Sequence, residues 1–122
     1  MSHLSVNRVL TSMDILGNNI GAEQAQKLIE LLDTSATLKT LCGFTGEEVE
    51  LDLSKRSLSA SCAVLVANEI KVNRALTSIK INDYALPVDD IKTKPVLDLS
   101  NKKLGVEEAI IVAALLPLNE YV

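Results

Sequence analysis

The chain is poor in aromatic residues: Trp is absent, and Phe44, Tyr84 and Tyr121 are the whole set among 122 residues. A core without large rings has to be built from Leu, Ile, Val and Ala, which suits layers of small aliphatic side chains. Histidine is scarcer still. His3 stands alone at the extreme N-terminus, which leaves little material for general acid–base catalysis. Cys42 and Cys62 are the only cysteines, and no basic start with an apolar h-region marks a secretory signal. They read as reduced thiols in a cytoplasmic setting, with a disulfide between them as the alternative. Neither has a nearby cationic cluster that would turn it into a nucleophile.

Other absences narrow the function further. The CxxC and HExxH zinc patterns are missing, and the glycines of Cys42-Gly43-Phe44-Thr45-Gly46 lack the Lys-Ser/Thr of a phosphate loop. No cofactor, metal or catalytic residue is therefore assigned. Basic excess is absent too: the formal charge of −4 and pI near 4.9 argue against nucleic acid and anionic membrane surfaces as partners. The longest apolar run, Ala109 to Leu116, is far short of the roughly 20 residues that span a bilayer.

What is present is aliphatic residues and repetition. Apolar residues make up 48% of the chain, enough to give a single domain over residues 1–122 a core without disulfides or metals. Asn7-Arg8-Val9-Leu10-Thr11-Ser12-Met13 returns as Asn73-Arg74-Ala75-Leu76-Thr77-Ser78-Ile79, displaced by 66 residues with five of seven positions identical. Leu51-Asp52-Leu53-Ser54 returns as Leu97-Asp98-Leu99-Ser100, displaced by 46. Each of these copies leads to a basic residue and then Leu, as Arg56-Ser57-Leu58 and Lys102-Lys103-Leu104.

The segment Leu10 to Leu32 resembles the leucine-rich repeat family, and its LGNNIGAEQAQKLIELL portion is similar to the ribonuclease-inhibitor-like subtype, whose repeats run to about 28 residues. The match runs through Leu10, Met13, Ile15, Asn18, Ile20, Gly21, Ala22, Ala25, Leu28 and Leu32. The resemblance implies an α/β fold, a short right-handed solenoid of about five parallel strands and three main helices. It also implies a structural role for Asn18, although Arg56, Tyr84 and Lys102 fill the matching positions of later copies. Gly21 and Gly105 are read as positions needing a positive φ or a close approach to a helix start.

Periodicity predicts the helices. Ala22, Ala25, Ile29 and Leu32 share one face of the first, with Glu23, Gln26, Lys27 and Glu30 opposite. The second runs over Ala60 to Lys71 behind Ser59 as N-cap, and the third over Val106 to Leu116, with Glu107 and Glu108 in its first turn. Middle strand residues Met13, Leu41, Leu51, Ile79 and Leu97 predict parallel strands over 12–16, 40–43, 50–54, 78–82 and 96–100. Between the last two, ALPVDDIKTKP leaves room for at most one helical turn.

Alternation along such strands sends Asp14, Cys42, Asp52, Lys80 and Asp98 to an open face as a mostly acidic column. The favoured function is accordingly a non-enzymatic protein-interaction scaffold, with Ser12, Asp14, Glu50, Asp52, Ser78, Lys80, Asn82 and Asp98 forming its binding surface. Regulation of a small GTPase, by family analogy, is the alternative, and a purely structural repeat segment is a third reading. Neither terminus carries a polar capping repeat, and the third helix is apolar almost all round. The chain is then either a piece of a longer repeat protein or a homo-oligomer formed through its uncapped ends.

Overall fold

A computed structural model describes residues 9–56 and 58–120. In chain order the elements are α1 (Ala22–Thr34), β1 (Glu50–Asp52), α2 (Ala60–Ile70), β2 (Ser78–Lys80), β3 (Ala85–Leu86), α3 (Val88–Thr93) and α4 (Val106–Leu115). A 3-10 turn over Leu116–Leu118 continues α4. α2 lies centrally, packed between α1 and α4, and its Cys62, Ala63, Leu65, Val66 and Ile70 are all buried. Ile79, Leu86, Ile91, Ile111 and Leu115 complete one aliphatic core with them. Among the described residues, no helix is long and apolar enough to cross a membrane.

The helices stand where periodicity puts them, for reasons visible at their ends. Ser59 caps α2 by accepting the Cys62 amide at 3.2 Å. Gly105 precedes α4, and the Glu108 carboxylate reaches back to accept the Gly105 N–H at 3.0 Å, the return half of a capping box. Neither Gly21 nor Gly105 has a positive φ (−78° and −95°), which leaves the close approach to the helix start as the reason for a glycine there. Both make it: a Cβ at Gly21 would run into the Gln24 side-chain amide, and one at Gly105 would lie 3.2 Å from Glu108 Oε1.

The five-strand parallel solenoid does not form. Among the described residues the sheet is open and mixed, with three strands in the order β1-β2-β3. β1 and β2 pair in parallel, Glu50 with Ser78, Leu51 with Ile79 and Asp52 with Lys80, whereas β3 runs antiparallel to β2. The predicted strands at 12–16 and 40–43 are reduced to isolated bridges, Ser12 with Thr40 and Asp14 with Cys42. Residues 96–100 make no strand at all.

Side chains that intercept backbone amides explain the shortfall. Asp14 Oδ1 accepts Leu16 N at 3.1 Å, Asp52 Oδ1 accepts Ser54 N at 3.0 Å, and Asp98 Oδ1 accepts Ser100 N at 2.8 Å. Each is an Asx turn that bends the chain two residues after the aspartate and takes an amide a longer ladder would need. Thr40 Oγ1 does the same to Cys42 N and Phe44 N, both at 3.1 Å, before Gly43 turns the chain at φ +74°. Past β2, the Asn82-Asp83 dipeptide lies in a short connection that lets the chain double back into β3. α3 then runs for six residues, longer than the single turn expected there.

Candidate functional site

The residues expected to form a binding face are placed by these turns. Ser12, Asp14, Glu50, Asp52, Asn82 and Asp98 are exposed, while Ser78 and Lys80 are half-buried. The structure brings Asp52 beside Lys80 and Glu50 beside Ser78 across the β1–β2 pair. It does not extend them into one continuous acidic column. Cys42, expected within that column, is buried instead.

Most of the acids already have work within the fold. Besides holding its turn, Asp14 accepts Arg56 Nη2 on both carboxylate oxygens, at 2.9 and 3.0 Å. Asp52 also accepts the Ser54 hydroxyl at 2.6 Å. That hydroxyl, together with the Ser54 amide, holds the Asp52 carboxyl below the usual aspartate range. The Ser100 hydroxyl and amide do the same for Asp98. Asn82 donates through Nδ2 to both oxygens of Glu108, at 3.1 and 3.0 Å.

Three polar keystones were missed in the sequence. Glu108, buried to 1% exposure, joins β2's exit to α4 through Asn82 and Gly105. Its signal was the spacing Gly105-x-x-Glu108, an N-cap followed by its third helical residue. Asn73 Oδ1 accepts the amides of Ala75 and Leu76 at 2.8 and 3.0 Å, and its Nδ2 donates to Glu48 O at 3.1 Å. Its appearance in a repeated Asn-Arg-x-Leu-Thr-Ser string was the hint. Glu69, at the end of α2, accepts the Thr40 hydroxyl and the Leu41 amide.

Neither thiol is presented to solvent. Both cysteines are free and buried. Burial pushes the Cys42 thiol far up, and the neighbouring Glu69 charge pushes it further, so it stays protonated. His3 lies outside the described residues. Among the described residues no group of three or more His, Cys, Asp or Glu is placed to hold a metal ion.

The other candidate surface is apolar. Val96 is 84% exposed, and Leu97, Val106, Leu116 and Leu118 are also exposed. Leu97, Leu99, Val112 and Leu116 line a groove of about 340 Å³ between α3 and α4. The 3-10 turn carries this surface on to a second groove of about 450 Å³, where Leu118 and Pro117 meet Ile29 of α1 and Val64 of α2. α4 therefore buries Ile111 and Leu115, packs Ile110, Val112 and Ala114 half-buried against the core, and leaves Val106, Ala109 and Ala113 exposed. No protein-family model matches the chain, and neither a curated protein nor a solved structure was found that is similar to it.

Proposed function

We propose that the chain is a non-enzymatic protein-binding module whose contact surface is the apolar end formed by residues 96–99, α4 and the 3-10 turn. The observation that carries this reading is the outward exposure of Val96, Leu97, Val106, Leu116 and Leu118 on neighbouring segments. The acidic residues of the strand region support the shift of surface, because Asp14, Asp52 and Asp98 are committed to turns. A net charge of −4 favours a protein partner over a phosphate-bearing one. Two free, buried thiols fit a reducing, cytoplasmic setting.

The test is a photo-crosslinking amino acid placed at Leu116 and, separately, at Gln26 on the exposed face of α1. In cells expressing the chain, Leu116 is expected to give defined protein adducts and Gln26 none. Equal adduct patterns at the two sites would overturn the reading.

A further inference from the structure

The 46-residue displacement in the sequence is also a displacement in structure. Asp52 with Ser54 and Asp98 with Ser100 make the same turn. Each turn leads to a helix, α2 or α4. Each helix is followed by an asparagine whose Nδ2 donates to a carbonyl 25 residues upstream: Asn73 to Glu48 O at 3.1 Å and Asn119 to Lys94 O at 3.0 Å. Residues 96–98 are thus the counterpart of β1.

The two copies differ in what lies alongside. β1 is covered by β2, and Leu53 donates to Lys80 O at 2.7 Å. The backbone groups of Val96, Leu97 and Leu99 make no hydrogen bond among the described residues. The strand that covers β1 belongs to Leu76–Ile81, and its match within the chain is Leu10–Ile15. Thr11, Met13 and Ile15 spend their backbone groups on residues 39–41 and 43. Alternation turns those of Ser12 and Asp14 to the opposite edge, which no described strand occupies.

We propose that Leu10–Ile15 of a second copy of this chain docks in parallel on residues 96–98, as Leu76–Ile81 docks on β1. The register copied from β1 and β2 sets Ser12 beside Val96, Met13 beside Leu97 and Asp14 beside Asp98. Met13 then covers the exposed Leu97, as Ile79 covers Leu51. Asp14 arrives with Arg56 bound, so the group meeting Asp98 is an ion pair rather than a bare carboxylate. Backbone pairing supplies the affinity and the apolar neighbours the specificity, which is strand addition to an open edge. The contact is head-to-tail, so it propagates instead of closing as a symmetric dimer. It rests on the protein-binding reading above and names the partner.

Sedimentation of the 122-residue chain over a concentration series tests it. The mass is expected to rise with concentration above 13.2 kDa. Leu97→Pro blocks the accepting edge, and Ser12→Pro removes an outward amide of the docking segment while sparing those bonded to residues 39–41 and 43. Each variant alone is expected to stay at the single-chain mass, and an equimolar mixture to give a species of twice that mass, because each supplies the edge the other lacks.

A peptide of Val9 to Gly17 provides a test that needs no folded variant: bound to the open edge, it is expected to dissolve the wild-type assembly. Assembly that persists in both variants and ignores the peptide would overturn the pairing, as would a monomer at every concentration. A monomer that still gives protein adducts from Leu116 would remove the second copy alone. A monomer without adducts would remove the protein-binding reading as well.

Discussion

Glu108 concentrates much of the chain's polar organisation into one side chain. Its carboxylate is buried and accepts from Asn82 and Gly105. Replacement by Ala leaves the Gly105 amide without its partner and is expected to cost about 2 kcal/mol, read from urea unfolding, because hydrogen bonds to charged groups contribute about 1.5–3. The neighbouring Glu107, half-buried, makes no side-chain hydrogen bond in the described structure, and Glu107→Ala is expected to stay within about 0.5 kcal/mol. Cys42 offers a chemical check on burial. Its thiol is expected to resist a disulfide reagent under native conditions and to react fully in denaturant.

Asp52 and Asp98 contribute to the pH dependence at this scale. Their folded carboxyls lie below the usual aspartate value, so the fold favours the ionised form. The stability they contribute is full above the ordinary aspartate pKa and is lost as pH falls through the folded value. A urea midpoint that is level near neutrality and drops below about pH 4 is expected, with a smaller drop in Asp52→Asn. Both groups are exposed, so the effect is modest. A midpoint that rose on acidification would contradict the assignment.

Helices and strands were legible to very different degrees. α1, α2 and α4 lie within two residues of their expected bounds, because apolar spacing and end signals act locally. Ser59→Ala is expected to cost about 1 kcal/mol in unfolding free energy, the usual contribution of an N-cap. Strands depend on neighbours, and the alternation that made Asp14, Asp52 and Asp98 look like an open-face column presupposes a ladder. Those same residues end the ladder by capturing amides two positions on. Aspartate at a strand's edge thus carries a turn signal as well as a charge. Asn82-Asp83 was a second such signal, and it announced the return into β3.

For the molecule as a whole, repetition mattered more than the family pattern it suggested. The 46-residue echo survives as matched turns, helices and asparagine keystones, while the regular parallel stack does not. β1 has its edge covered, whereas residues 96–98 have no strand beside them among the described residues, and Val96 and Leu97 are exposed there. The 66-residue echo, Leu10–Ile15 against Leu76–Ile81, supplies a segment of the right kind to cover it. Amide hydrogen exchange at Leu53 and its counterpart Leu99 compares the two edges directly. Leu53, bonded to Lys80, is expected to exchange slowly at every protein concentration, and Leu99 to exchange fast in dilute solution but slowly when concentrated. Concentration-independent exchange at Leu99 would contradict the account.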